Sequence, residues 1–402
     1  KDGKQYAKLC WLPLKDELEA TAVPTGYIVY TKVDGGGWDN GTMVESNSAS
    51  IEIERGKIYS FSVSAVNQGG ESFPSEILSV GIASGENAVG KTVLVVNNFD
   101  RVSAPSSFAT RDSSRAGFQD HIDGGVSLIQ DISYIGEQHE FRREIPWMDD
   151  DAPGFGASYG DFETQVIAGN TFDYPYIHGK ALMKAGYNFV SSSKDAVFCG
   201  IVNMEEYPIV DVICGKQVTT LVGRPSAKNF KYRVFPAEFQ EKIKSYTAKG
   251  GNLLISGANI ATDIWDKIYD FEIDSVMNAE IVNPAKEFAT NILKYKWMTN
   301  YASEDGIVKG VQNPVGMPST SLYDFYTKPN IKSYAVETPD ALVPTDPKAF
   351  TIFRYAQNNI SAGVAYDGDT YKVVSLGFPV EALKSQDQID KLISEILIFF
   401  EK

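Results

Sequence analysis

The sequence predicts a multidomain protein: an N-terminal all-β sandwich followed by a three-layer α/β domain on a mainly parallel sheet. Three observations predict it. Residues 1–83 carry short runs that alternate apolar and polar at period two, separated by turn-forming residues, with no helical period. From residue 91 the pattern changes to continuous apolar runs of strand length, which alternate with stretches at helical spacing. Between the two lies a linker, residues 84–90, rich in Gly, Ser and Ala.

Composition bounds the function. At 402 residues the chain is too long for one ordinary domain, and 43% hydrophobic residues exclude a largely disordered chain. No run of about 18 apolar residues exists to form a membrane span. Lys and Arg number 37 against 52 Asp and Glu, a net charge of -15, which argues against a nucleic-acid partner because phosphate binding needs a basic patch. The three cysteines, Cys10, Cys199 and Cys214, make no disulfide framework, although Cys199 and Cys214 could pair. Cys10 reads as a small core residue. The histidines, His121, His139 and His178, show no zinc-site spacing, so neither metal nor cofactor is expected. The chain begins at Lys1, almost directly on a strand, and reads as a piece of a larger or processed protein.

In the first segment, strands are expected around Ala7–Trp11, Tyr27–Thr31, Ser50–Ile53 and Tyr59–Ala65. The turns between them are Asp34–Gly37, Asn40-Gly41, Arg55-Gly56 and Gln68–Gly70. These residues resemble a fibronectin type III module. Trp11 matches its core tryptophan, Tyr27–Tyr30 its third strand, and Gly56–Asn67 its sixth. The resemblance makes Tyr59 the corner tyrosine, with its hydroxyl bonded to nearby backbone. It implies a spacer or an interaction surface. Trp38 could touch a ligand, but a lone surface aromatic is usually loop packing.

In the second segment, Lys91–Asn98, Asn188–Val190, Ile209–Cys214 and Asn252–Ser256 read as strands. So do Phe350–Tyr355, Ser361–Tyr366 and Tyr371–Leu376. Helices are expected over Tyr174–Ala185, after Pro236, over Asn259–Ile268, and after a capping box of Ser385 with Gln388. This order resembles a flavodoxin-like domain of the class I glutamine amidotransferase type. The resemblance rests on Val210–Gly215, Gly250–Gly257 and Val373–Glu381. It makes residues 91–402 one domain, enlarged by insertions at 98–170 and 266–349.

The chemistry of that family is not retained. Its nucleophilic cysteine would stand at Ser256-Gly257-Ala258-Asn259, where no cysteine occurs, and its histidine is missing from Phe378-Pro379-Val380-Glu381, so only Glu381 corresponds. Ser256 reads as a strand end or helix cap rather than a nucleophile. Cys214, beside Lys216 and Gln217, ends a strand where such sheets bind ligands, and Lys216 could lower its pKa. A small buried cysteine is the commoner case.

The long excursion after the first parallel strand holds groups suited to a polar ligand: Asp100, Arg101, Asp161 and Asn170, with Asp173 and His178 following. Carboxylates and amides bond hydroxyls, and aromatic faces pack on sugar rings. The simplest reading of Asp173 is a cap on the helix that carries His178. Asp149–Asp151 reads as a solvated acidic turn, and Gly154-Phe155-Gly156 lacks the context of a dinucleotide site. Asp100, Asp161, Glu163 or Asp173 could supply a glycosidase carboxylate pair, whose separation the sequence does not set.

The combined order resembles multi-module secreted bacterial proteins labelled xanthan lyase or N-acetylmuramoyl-alanine amidase, chiefly over Gly154–Asp161 and Gly169–Gly179. The resemblance implies a secreted, periplasmic or cell-surface location. It also implies a polysaccharide, a peptidoglycan-type glycan or neighbouring modules as partner. The expectation is an accessory, non-catalytic segment that binds a glycan or a module through Asp100, Arg101, Asp161, Asn170, Cys214, Lys216, Gln217, Ser256, Asn259 and Glu381. The alternative is a lyase or hydrolase that uses His178 with Asp173 or Asp100 as acid and base.

Overall fold

Period-two alternation in the first 83 residues produces strands, and continuous apolar runs produce the buried ones. The structure is a computed structural model. It describes residues 4–13, 21, 23–72, 74–102, 108–109, 115–119, 126–127, 138–142, 173–222, 229–266, 284–328 and 333–402. The alternating segment forms β1 (Gln5–Cys10), β2 (Gly26–Val33), β3 (Thr42–Val44), β4 (Ser48–Ile53), β5 (Ile58–Asn67), β6 (Gly70–Glu71) and β7 (Leu78–Gly81). The first continuous apolar run is β8 (Thr92–Asn97). The excursion holds β9 (Arg101–Val102), β10 (Phe108–Ala109), β11 (Arg115–Gln119), β12 (Val126–Ser127) and β13 (Gln138–Arg142).

After the excursion come α1 (Tyr174–Lys184), β14 (Asn188–Ser193), α2 (Lys194–Phe198), β15 (Ile209–Gly215), β16 (Thr220–Val222) and β17 (Asn229–Lys231). Then follow α3 (Ala237–Ala248), β18 (Asn252–Gly257), α4 (Thr262–Trp265) and α5 (Pro284–Phe288). The chain closes with β19 (Tyr295–Thr299), β20 (Ile307–Gly310), β21 (Leu322–Asp324), β22 (Ala341–Pro344), β23 (Ala349–Tyr355), β24 (Ser361–Asp367), β25 (Lys372–Leu376) and α6 (Gln386–Glu401).

The expected fold class is corrected here. A separate fibronectin-type sandwich and a three-layer flavodoxin-like domain with a mainly parallel sheet do not form. One 14-stranded mixed sheet runs in the order β21-β20-β23-β24-β25-β18-β15-β8-β14-β7-β5-β2-β3, with β6 beside β5. Only the pairings β14–β8, β8–β15, β15–β18 and β18–β25 are parallel. The other neighbours in this sheet pair antiparallel. Alternation reports which residues face a core; it carries no record of which strand lies alongside. Of the expected insertion at 266–349, β20 and β21 join the main sheet, while β19 and β22 form a ribbon of their own.

The join between β7 and β14 explains the continuity. Its ladder has one bridge, Phe189 opposite Gly81, and side chains extend it. The backbone N–H of Ser79 donates to Ser191 Oγ at 2.6 Å, and that hydroxyl donates back to the Ser79 carbonyl at 2.7 Å. The N–H of Ala83 donates to Asn188 Oδ1 at 2.9 Å. The Phe189 ring fills the space beside two glycines. A Cβ on Gly179 of α1 would lie 2.1 Å from it, and one on Gly81 would lie 2.8 Å from it. A larger residue at either position would force α1 or β7 away from the sheet.

Both faces of the parallel strands are buried. Val93, Val95, Ile209, Ile213 and Leu254 share a cluster with Leu182 of α1 and with Ile389, Leu392 and Ile396 of α6. Leu94, Val96, Val210, Val212, Leu253 and Ile255 share the other with Phe239, Ile243 and Tyr246 of α3. Each such side chain contributes about 1.5–3 kcal/mol relative to exposure.

Helix ends are close to expectation, with three differences. The helix expected over Asn259–Ile268 shortens to α4. Ser385 caps α6 by accepting from the Gln388 N–H, but the Gln388 side chain reaches Asp324 instead of closing the box. Asp173 stands at the N-cap of α1 without capping it by its side chain. Its carboxylate instead pairs with Lys32 Nζ of β2 at 2.9 Å, and the same ammonium lies 5.1 Å from the centre of the Trp38 ring. Trp11 packs edge-on against Tyr27 at 5.3 Å. The Tyr59 hydroxyl, expected to bond backbone as a corner tyrosine, makes no hydrogen bond among the described residues.

Lys32 and Asp173 are both largely buried, at 10% and 19% side-chain exposure, so Asp173→Ala leaves an ammonium with little water and no countercharge. That substitution is expected to lower unfolding free energy by about 1–3 kcal/mol. A thermal or urea melt indistinguishable from wild type would overturn the assignment of this pair as a seam between N-terminal strands and α1.

Candidate functional site

The carboxyl ends of the parallel strands collect most of the sequence-nominated polar residues. β8 is apolar on both faces and ends in Asn97-Asn98-Phe99-Asp100, where its ladder stops and side-chain amides take over the hydrogen bonding. Asn98 Nδ2 donates to the Val234 carbonyl at 2.9 Å and lies 3.5 Å from Cys214 Sγ. Asn97 Nδ2 donates to Glu76 Oε2 at 2.6 Å. Asp100 Oδ1 accepts from Lys194 Nζ at 2.9 Å and from Gln217 Nε2 at 2.7 Å. These contacts stitch together the exits of β8, β14 and β15.

Lys216, 2% exposed as a residue, sends its Nζ to Glu337 Oε2 at 2.6 Å. Asn259, just beyond β18, reaches the Lys216 carbonyl at 3.5 Å and accepts from Thr338 Oγ1 at 3.3 Å. Beyond β18 the turn is held by Asp340, whose Oδ2 accepts from the N–H groups of Ala261 and Thr262 at 2.6 and 2.9 Å. Burial pushes the Asp340 carboxyl up to about 7, against these hydrogen bonds.

His178 lies one layer deeper. It sits on α1 with no solvent exposure, facing β15 and the turn after β25. Nδ1 is 2.6 Å from Asp211 Oδ2, and Nε2 is 3.2 Å from Glu381 Oε2. Tyr334 OH donates to the other Glu381 oxygen at 2.7 Å. Tyr334 also packs edge-on against Phe99 and Tyr174 at 5.3 and 5.8 Å. Burial alone would discharge the imidazole. The charge and hydrogen bond of Asp211, with those of Glu381, outweigh it and raise the pKa to about 10. The ring is therefore a cation at neutral pH and donates from both nitrogens.

The nominated residues divide as follows. Asp100 and Gln217 meet directly, Asn259 reaches the backbone of Lys216, and Glu381 meets His178. His178 does not meet Asp173 or Asp100, the partners expected for acid–base work. Arg101 lies in β9 opposite Ser127, with its side chain outside the described residues. Asp161, Asn170, Glu163 and the stretches Asp149–Asp151 and Gly154–Gly156 also lie outside them.

Ser256 is fully buried, and its hydroxyl has no hydrogen-bond partner among the described residues, so no base activates it. Cys214 is the small buried cysteine, and the suggestion that Lys216 lowers its pKa is corrected. Burial, with the charges of Glu381, Asp211 and Asp263, pushes its thiol up to about 12 against the Asn98 hydrogen bond, and the Lys216 ammonium pairs with Glu337. Cys10 is exposed rather than in a core, and Cys199 and Cys214 are both free. Among the described residues, no group of three or more His, Cys, Asp or Glu side chains could hold a metal ion, and no helix is long and apolar enough to cross a membrane.

Several participants were not singled out from the sequence, among them Asp211, Glu76, Lys194, Tyr334, Glu337 and Asp340. Asp211 had a usable signal. It is the one charged residue inside the apolar run Ile209–Cys214, and a carboxylate buried on a strand needs a cation beside it. The others come from turns and segment ends where no periodicity marks them.

No protein-family model and no curated protein matches the chain. Among solved structures it is similar to an exo-β-1,4-mannosidase from Opitutaceae bacterium strain TAV5, with 11% identity, 56% of this chain and 30% of that chain covered, and a TM-score of 0.32. It is similar to a β-galactosidase from the Antarctic haloarchaeon Halorubrum lacusprofundi, with 14% identity, 58% and 27% covered, and a TM-score of 0.34. A ThuA-like protein from Bacteroides uniformis shows 10% identity, 56% and 81% covered, and a TM-score of 0.33. The chain thus spans less than a third of either glycosidase, and similarity at these scores assigns no activity.

His178→Gln leaves two buried carboxylates without their cation and is expected to cost about 3–5 kcal/mol of unfolding free energy. The folded pKa lies above the ordinary value of 6.5, so the stabilisation is full below 6.5 and is lost as pH rises through about 10. Wild-type unfolding free energy should fall across that window. If the His178→Gln protein shows the same fall, another group is responsible.

Thiol labelling of the native protein should modify Cys10 and Cys199 and spare Cys214 until the protein is unfolded. Rapid native labelling of all three would contradict the buried, high-pKa assignment of Cys214.

Proposed function

We propose that this chain is an accessory, non-catalytic segment of a secreted carbohydrate-active or cell-wall protein, and that it binds a glycan at the carboxyl edge of the parallel strands. One observation carries the reading. His178, the group that the lyase or hydrolase alternative would use with Asp173 or Asp100, has no solvent exposure and both ring nitrogens committed to carboxylates, whereas Asp100 and Glu337 at the strand exits are each 37% exposed. A general base must reach the proton it abstracts, and a saturated buried imidazolium has no free lone pair to do so. Open carboxylates and amides suit hydroxyl-rich ligands.

The net charge of -15 favours neutral over anionic polymers. The secreted setting is supported by the sequence resemblance over Gly154–Asp161 and Gly169–Gly179. A neighbouring module of the same protein is the other occupant this edge would suit.

Retention on immobilised galactomannan, xanthan, polygalacturonate and peptidoglycan tests the reading. The wild-type chain is expected to bind at least one neutral polymer, and Asp100→Asn with Gln217→Ala to weaken that binding at least about tenfold. It is expected to release no unsaturated product, by ultraviolet absorbance, from any of the uronic acid polymers. Failure to bind every polymer, or product release that depends on His178, would overturn it.

A further inference from the structure

The turn between β2 and β3 holds Asn40-Gly41, the sole Asn-Gly step in the chain. Such a step is open to attack by the glycine nitrogen on the asparagine side chain, because glycine has no Cβ to shield that nitrogen. Asn40 is exposed. Gly41 adopts φ +76° and packs flush on β2: a Cβ there would lie 2.4 Å from Ile28 and 2.8 Å from Tyr30. The next residue, Thr42, opens β3 opposite Val29. One carboxylate governs this turn. Asp39 Oδ1 accepts from the N–H of Gly41 and from that of Thr31, both at 3.0 Å. The Asp39 N–H in turn donates to the Thr31 carbonyl at 2.9 Å. The nitrogen that would attack Asn40 is therefore tied to β2 through Asp39.

We propose that Asn40 is a site of spontaneous deamidation, restrained by Asp39, whose isoaspartyl product loosens β3 from β2. The Gly41 nitrogen gives its proton to hydroxide and bonds to Asn40 Cγ. The Cγ–Nδ2 bond then breaks, and ammonia leaves with a proton taken from water, which restores the hydroxide and closes a succinimide ring. Water opens that ring at either carbonyl. One opening leaves an aspartate on the original main chain. The other routes the main chain through the side-chain carbons and inserts one methylene between residues 40 and 41. The Asp39 hydrogen bond stabilises the N–H that must ionise, and its charge opposes the amide anion, so the native turn slows the first step. The added methylene falls where Gly41 has no room against Ile28 and Tyr30, just before Thr42, Met43 and Val44 pair with Val29, Ile28 and Tyr27. In a hairpin the turn sets the register, so a longer turn displaces this short ladder.

Ageing of the full chain at mildly alkaline pH, followed by mass mapping of the tryptic peptide 33–55, provides the test. Asn40 should convert to a mixture of aspartate and isoaspartate, the latter labelled by an isoaspartyl methyltransferase. Asp39→Ala should raise the native rate about two- to tenfold, as expected for the loss of one hydrogen bond, and leave the rate in urea unchanged. Should Asp39→Ala lower the melting temperature, Asp39→Asn, which keeps an acceptor oxygen, should convert more slowly than Asp39→Ala. The isoaspartyl fraction should melt below fresh protein, whereas Asn40→Asp, which adds the charge without the methylene, should melt with it. No conversion at Asn40 overturns the site. An Asp39→Ala rate equal to wild type, or an equal acceleration in urea, overturns the restraint by Asp39. An isoaspartyl fraction that melts like fresh protein overturns the loosening of β3.

Discussion

A charged imidazole sealed from water is the constraint around which the middle of this protein is arranged. An isolated buried cation would cost several kcal/mol, so His178 is compatible with the fold only while Asp211 and Glu381 stand within hydrogen-bond reach. Those three residues come from α1, the interior of β15 and the turn after β25. Their positions must be satisfied together, and Tyr334 then ties a fourth segment to the same carboxylate. The network therefore sets where the carboxyl-edge turns lie relative to the sheet. Its role is positional: it holds the layer beneath the strand exits.

A second constraint works at the seam with the N-terminal strands. β14 has only one ladder bridge to β7, too little to hold two sheets in register by itself. The shortfall is met by Ser191 and Asn188, whose side chains pair the backbone of residues 79 and 83, and by the Lys32–Asp173 pair. Close packing of the Phe189 ring against Gly81 and Gly179 does the rest. One consequence reaches the strand exits, because the chain between β6 and β7 arrives beside Asn97 and brings Glu76 with it.

The strand exits combine rigidity with exposure. Asp100 is 37% exposed at its side chain yet has one oxygen held by two donors, and Lys216 is nearly buried while its ion-pair partner Glu337 is open. Such groups keep fixed positions without the flexibility that long surface side chains usually retain. Cys214 and Ser256, the two side chains that could have acted as nucleophiles, are turned into dry surroundings.

The sequence by itself determined several of the strands and helices, since hydrophobic period is a local property: β8, β15, β18, α3 and α6 fall where the pattern puts them. It also drew attention to Asp100 and Gln217, because polar residues just beyond buried strands are legible as strand exits, and to Asn259 and Glu381 through the family resemblance. Only the tertiary structure decided how the strands join and which polar groups meet. Alternation cannot say that β7 lies beside β14, so a sandwich and a separate parallel sheet were expected where one 14-stranded mixed sheet forms. Nor can spacing say that His178 would turn toward Asp211, 33 residues away, and Glu381, 203 residues away, rather than toward Asp173 five positions before it. Those pairings depend on through-space burial, where the cost of an uncompensated charge outweighs proximity along the chain.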